Sequence, residues 1–441
     1  MKQKSNAREN FLQRRYGVRL GRRYAFAAAS VVLMGVIGCP QLGNNTSAYA
    51  QTSQPRSESP MSKQPSSPET KLVNANTKFG FKLFSEVLKN ESDRNIFLSP
   101  SSVSLALAMT YNGANGSTRE AMTKALELQG LTLQQINSSN AALKKSLENP
   151  APEVKLSIAN SLWANKEASL NRDFIQRNQE FYTAKIANLN FKDTNAPNTI
   201  NQWVNDNTEG KIPKIVEKID PDQVLFLINA IYFKGRWSDE FDKAQTSDRP
   251  FYLISGQQKQ HPMMSQKGDY RYYENQQFQA VSLPYGKDGK VSLYIFLPKQ
   301  TSSLKSFYQN LSAENWENWM TQFSKREGLV RLPRFKMDYD INLNNALAAL
   351  GMSEAFSNKA NFSAMGKNLK ISEVKHKTFV EVNEEGTEAA AATSVGIMPL
   401  SARVPSKEPF SMIVERPFFC TIRDNRTGSI LFMGSIVEPR S

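Results

Sequence analysis

A mixed α+β fold, with a helix-rich N-terminal part packed on large β-sheets, is what this sequence predicts, and three observations carry the prediction. Apolar residues recur at helical spacing between Lys71 and Asn149. Beyond Pro152 the texture changes to strand-like runs bounded by turn residues. In a chain of 441 residues with 40% apolar content, one unbroken series of such patterns implies one large domain with an ample core.

Residues 1–38 read as an export signal. They hold eight basic residues (Lys2, Lys4, Arg8, Arg14, Arg15, Arg19, Arg22, Arg23) against the single acid Glu9, half of the chain's +14 formal charge. The remaining charge is spread without a dense basic run, which argues against a nucleic-acid partner. Behind the basic residues, Ala25 to Gly38 form an apolar stretch too short to span a bilayer as a helix but suited to a signal core. Two cleavage patterns follow. Val36-Ile37-Gly38-Cys39 resembles a lipobox, in which Cys39 takes a lipid and attaches the protein to a membrane; Ala48-Tyr49-Ala50 resembles an ordinary signal-peptidase site. Cys39 abuts the apolar core, which favours the lipoprotein. The protein is expected to be exported, either membrane-anchored or extracellular or periplasmic. The other cysteine, Cys420, lies in FSMIVERPFFCTI and reads as a buried small hydrophobe.

Residues 39–70 are rich in Ser, Pro, Gln and Asn and read as a disordered tether. Folded sequence is expected from about Lys71 to Ser441. Helical patterns run through LVNANTKFGFKLFSEVLK, SSVSLALAMTYNGA, STREAMTKALEL and LQQINSSNAALKKSLEN. Lys144 and Lys145 in the last of these read as a solvated face, weak support for a polyanion site. Strand-like runs follow: VKLSIANSLWAN, VLFLINAIYFKG, QAVSLPYG, VSLYIFLP and GLVRLPRFKM. After the helical INLNNALAALGM come KTFVEVNEE, FSMIVERPFFCTI and SILFMGSIVEP.

Chemistry is sparse. The sequence has no His-Glu-x-x-His, Cys-x-x-Cys, Gly-x-Ser-x-Gly or phosphate-cradling glycine loop, and only His261 and His376 supply imidazole. His376, in the polar stretch ISEVKHKTF at the mouth of a strand, is expected to make a structural hydrogen bond, and His261, before Pro262-Met263-Met264, is expected to be structural too. No enzyme activity, cofactor or metal site is expected.

The informative segment is EEGTEAAAATSVGIMPLSARVPSKEP, from Glu384 to Pro409. So long a connection between strands is unusual in a compact domain. In an extended chain Thr387, Ala389, Ala391, Thr393, Val395 and Ile397 share one side, which can enter a core, while Glu388 leads the other, which stays wet. Small residues are what a segment entering a packed sheet needs, because bulk would clash and a charge would be buried unpaired. Gly386 supplies freedom at the pivot. The same composition also suits a flexible surface loop or a short helix.

Separate motifs resolve the ambiguity. Asn95-Ile96-Phe97-Leu98-Ser99-Pro100-Ser101-Ser102, LINAIYFKGRW with Asn229, Lys234, Gly235 and Trp237, His376 ten residues before Gly386, and the tail RPFFCTIRDNRTGSILFMGSIVEP occur in the order found in serpins. From Lys71 to Pro439 the chain resembles that family. The resemblance implies a fold with an exposed reactive-centre loop, a shutter of Ser99, Ser102, Asn229 and His376, and a breach of Trp237, Arg334 and Glu384, the last two pairing as an exposed ion pair. It implies a hinge of Glu384, Glu385, Gly386, Thr387, Glu388, Ala389, Ala390, Ala391, Ala392 and Thr393. It also implies a suicide mechanism: a target protease cuts the loop, is acylated, and is trapped as the loop inserts as a new strand. The small-residue hinge matches inhibitory members rather than carriers, chaperones or storage proteins.

The family's spacing from Gly386 puts the reactive bond at Leu400-Ser401 and favours chymotrypsin-like or elastase-like serine proteases. Met398 and Arg403 are the alternative sites, Arg403 suiting trypsin-like enzymes, and a papain-like cysteine protease is a further alternative. A monomer is expected.

Overall fold

The computed structural model describes residues 66–148, 150–387 and 408–441. The first helix, α1 (Pro68–Glu91), starts earlier than the apolar pattern suggested. The Ser67 side chain caps it by accepting from the Thr70 amide, and Pro68 occupies the first turn, where its missing N–H costs nothing. Leu72, Phe79, Leu83 and Phe84 form its buried stripe. Strand β1 (Ile96–Leu98) leads into α2 (Pro100–Tyr111), every residue of which is buried. This helix packs between two sheets, which bury its hydroxyl residues Ser101, Ser102, Ser104 and Thr110 along with its apolar ones. At Gly80 of α1 a Cβ would lie 2.7 Å from Pro100, so only glycine lets the two helices approach this closely.

Two more helices, α3 (Gly116–Ala125) and α4 (Leu133–Glu148), precede β2 (Val154–Asn165), α5 (Arg172–Tyr182), β3 (Lys185–Leu189), α6 (Ala196–Asn207) and β4 (Leu225–Arg236). Strands β5 (Ser247–Tyr252), β6 (Gln258–Glu274), β7 (Phe278–Tyr285) and β8 (Val291–Pro298) come next, followed by α7 (Leu304–Gln309) and α8 (Ala313–Gln322). The remainder is β9 (Ser324–Pro333), β10 (Phe335–Asn342), α9 (Asn344–Leu347), β11 (Glu373–Asn383), β12 (Gly386–Thr387), β13 (Phe410–Ile413), β14 (Phe418–Asp424) and β15 (Ile430–Ile436).

The strands form a nine-stranded sheet, ordered β1-β15-β14-β8-β7-β6-β9-β13 with β5 on β6, and a six-stranded sheet, β10-β11-β12-β4-β2-β3. The second sheet contains an unusual seam. Along Glu373–Phe379 and Phe226–Tyr232, β11 and β4 pair directly and in parallel. Above that stretch they part, and the two residues of β12 lie between them, antiparallel to both. A second, smaller core covers the outer face of this sheet. Ile200 and Val204 of α6 and Ile212, Ile215, Val216 and Ile219 of the segment after it join Ile228 and Tyr232 of β4 and Phe379 of β11.

Candidate functional site

The seam is bolted from below. Ser99 is the N-cap of α2, its side chain accepting from the Ser102 amide, and its own backbone N–H is free to donate to His376 Nε2 at 3.0 Å. That leaves Nδ1 carrying the proton, which it gives to Asn229 Oδ1 at 2.6 Å. His376 and Asn229 are register partners across the seam, so one side-chain bond joins β11 to β4. The Asn229 amide donates in turn to the Ser102 hydroxyl and to Asn160 Oδ1 of β2. The four residues expected to form a shutter therefore meet. His376 is not at the mouth of a strand in polar surroundings, however: it lies within β11 and is wholly buried. Burial pushes its pKa down to about 3, so the ring is neutral.

The top of the seam is built from Trp237, which follows β4. Its indole N–H donates to the Asn383 carbonyl at 2.8 Å, and its ring stacks on Tyr285 with centroids 4.3 Å apart. Arg334, at the corner between β9 and β10, reaches Glu384 through Nε at 2.7 Å and Nη2 at 2.6 Å. The expectation of an exposed pair needs correction. Glu384 is only 2% exposed, its carboxylate covered by Arg334 and by the Thr246 hydroxyl, from which it also accepts. Burial works to raise the Glu384 pKa, but the hydrogen bonds from Arg334 and Thr246 outweigh it and hold the carboxylate below its usual range. Glu385 pairs with Lys243.

Where the hinge is expected, Gly386 has φ +144°, and a Cβ there would stand 2.1 Å from the Gly235 carbonyl oxygen, so no other residue fits. Thr387 is fully buried, as its core-facing parity required, and its hydroxyl lies 2.7 Å from that of Tyr285. Tyr285 and Asn160 were missed in the sequence. Both sit in apolar strand runs, and nothing local marks them.

His261 contacts the Arg334 carbonyl at 2.6 Å, a structural bond. Cys420 is wholly buried, and desolvation pushes its thiol pKa up. Lys144 is tied to Glu148 and does not present a free cationic face. Cys39, Glu388, Ala389, Ala390, Ala391, Ala392, Thr393, Met398, Leu400, Ser401 and Arg403 lie outside the described residues.

Comparison with known proteins adds an independent finding. Residues 74–439 match the family model described as Serpin (serine protease inhibitor). The human leukocyte elastase inhibitor is 37% identical over 387 residues, 83% of this chain and 99% of that protein. An uncharacterized serpin-like protein of Thermococcus kodakarensis is 36% identical over 378 residues, 84% of this chain and 87% of that one. Among solved structures, the thermophilic serpin tengpin in its native state superposes with a TM-score of 0.77 at 34% identity, covering 83% of this chain and 94% of that one.

Proposed function

Because the chain belongs to the serpin family, we propose that it is a suicide-substrate inhibitor of serine proteases that works by strand insertion into the six-stranded sheet. The observation that carries this reading is the seam itself. β4 and β11 are parallel neighbours that already part at the top around Gly386 and Thr387, and a strand running on from Thr387 would be antiparallel to both. In that register Ala389 would stand opposite Phe233 and Thr393 opposite Asn229, facing α2. Ala390 and Ala392 would stand opposite Tyr232 and Ala230, which belong to the second core. Both faces of the entering strand then need small residues, a tighter requirement than one buried and one wet side.

The chemistry asks nothing of this chain but a scissile bond. The protease serine oxygen attacks the Leu400 carbonyl, the bond to Ser401 breaks, and the Ser401 nitrogen takes up a proton and departs as a new N-terminus. Leu400 stays esterified to the protease. Fifteen residues from Gly386 to Leu400, at about 3.3 Å each, would carry that ester some ~50 Å along the sheet before water completes hydrolysis. The protein is consumed as a reactant and has no turnover of its own. Leu400 suits an apolar primary pocket, where burying such a side chain is worth about 1.5–3 kcal/mol, and relatives named for elastase inhibition support the same class.

Incubation with chymotrypsin-like, elastase-like, trypsin-like and papain-like proteases, read on a denaturing gel, tests this directly. The expected result is a denaturation-resistant complex with an elastase-like or chymotrypsin-like enzyme and release of the 41-residue fragment Ser401–Ser441. A fragment beginning at Val404 with trypsin trapped would move the bond to Arg403. Thr387→Arg should be cleaved without trapping, since its guanidinium would be buried unpaired. If Thr387→Arg forms as much complex as the wild type, insertion is not the mechanism.

A further inference from the structure

We propose that Tyr285 is a positioning residue for strand insertion: its hydroxyl holds Thr387 in the sheet of the uncleaved chain, so that the first step of insertion is already taken before any protease arrives. The proposal rests on the inhibitory reading above and adds to it a residue that neither the motifs nor the shutter and breach include.

Two residues make a poor strand. Fixing Gly386 and Thr387 at the root of a long loop costs conformational entropy that a pair of ladder steps offsets only weakly, so a further interaction has to hold them. Thr387 supplies one. It is wholly buried, and the hydroxyl it carries there would be costly without a partner; the Tyr285 hydroxyl stands 2.7 Å away. Each of these buried groups satisfies the other.

The tyrosine is held as rigidly as the threonine is buried. Its ring lies nearly parallel to the Trp237 indole, 10° between planes, and meets Phe233 edge-on at 5.1 Å. Its backbone forms a bridge with Trp237. Tyr285 ends β7 in the nine-stranded sheet and points its hydroxyl into the gap between β4 and β11 of the other. Gly386 fits beside Gly235 only because it lacks a Cβ. The hinge is thus seated by a hydroxyl from outside its own sheet.

Seating matters after acylation, when insertion competes with hydrolysis of the ester. A strand that extends from an ordered end does not have to close a loop first, so insertion gains on hydrolysis. Loss of one neutral hydrogen bond changes the seated population about fivefold.

The test is Tyr285→Phe, which keeps the stacked ring and removes only the oxygen, alongside Thr387→Val and the double variant. The rate of acylation by an elastase-like protease should be unchanged, while the inhibitor cleaved without trapping, per protease trapped, rises about fivefold in either single variant. The double variant should show no further rise, because both changes delete the same bond. Equal partition in wild type and Tyr285→Phe would overturn the proposal. Amide hydrogen exchange in the intact protein gives an answer even if no protease is trapped. The Gly386–Thr387 amides should be protected in the wild type and exchange about fivefold faster in Tyr285→Phe. Unprotected amides in the wild type would refute the seated hinge itself, whereas absence of any protease complex beside a protected hinge would refute only the inhibitory reading.

Discussion

His376 crosses the seam with both ring nitrogens engaged, donating to Asn229 and accepting from the Ser99 amide. Neither partner is charged, so nothing nearby compensates a proton on the ring, and burial holds its pKa at about 3 against 6.5 for an ordinary histidine. The unfolded chain takes up the proton first. This contribution to stability is therefore complete above pH 6.5 and is lost as pH falls from there toward about 3, with a slope of up to ~1.4 kcal/mol per pH unit. Urea unfolding midpoints measured across that window should fall in the wild type and flatten in His376→Gln; parallel curves would mean the ring is not held neutral by the fold. Residues of this kind were legible in unequal degree. Ser99, Ser102, Asn229 and His376 stand in motifs that name them, and Gly386 and Thr387 announced themselves by size and parity. Tyr285, Asn160 and Thr246 did not, because a polar side chain within an apolar or mixed run acquires its role only from the partner that folding brings to it.

Among the elements, the segment that returns from α6 to β4 is clasped by one side chain: Asn201 of α6 donates to the Val216 carbonyl at 2.7 Å and accepts from the Ile215 and Val216 amides, each at 2.9 Å. The clasp holds Ile215 and Val216 over a core that includes both β4 and β11, so it lies on the outer face where a new strand would enter. Asn201→Ala should speed exchange of the Ile215 and Val216 amides about tenfold while leaving β2 amides unchanged, and no change in exchange would show that packing alone holds the segment. Elements were read best where a run is buried on every side, as in α2, β4, β8 and β15. α5 was missed because its buried positions are Phe174, Asn178 and Tyr182, and a core asparagine breaks an apolar count even though Asn178 is bonded to the Phe174 carbonyl. β6 was missed because its 17 residues are mostly polar. GLVRLPRFKM read as one run, yet it is β9 and β10 in different sheets, turning at the corner where Arg334 meets Glu384. FSMIVERPFFCTI also divides, into β13 and β14, which stay in the nine-stranded sheet but pair with different neighbours. A strand that changes sheets keeps its local pattern, so sequence alone does not show the turn.

For the whole molecule, the two ends of the chain carry separate expectations. We propose that the protein is exported and anchored through Cys39, since the lipobox-like Val36-Ile37-Gly38 ends an apolar stretch preceded by basic residues and a Ser- and Pro-rich sequence follows it. The mature protein should partition into detergent and Cys39→Ser should not; a mature N-terminus at Gln51 would instead mean free secretion. At the other end, strand insertion as proposed above requires the intact folded domain to be less stable than the form it reaches when its loop enters the sheet. Cutting the loop between Glu388 and Leu400 with a metalloprotease, which forms no acyl-enzyme, isolates that difference from inhibition. Urea unfolding of cut and intact protein, followed by circular dichroism, then compares the two states. The cut chain should unfold at a much higher urea concentration than the intact one, and the same cut in Thr387→Arg should produce little shift; equal midpoints for cut and intact wild type would rule out strand insertion.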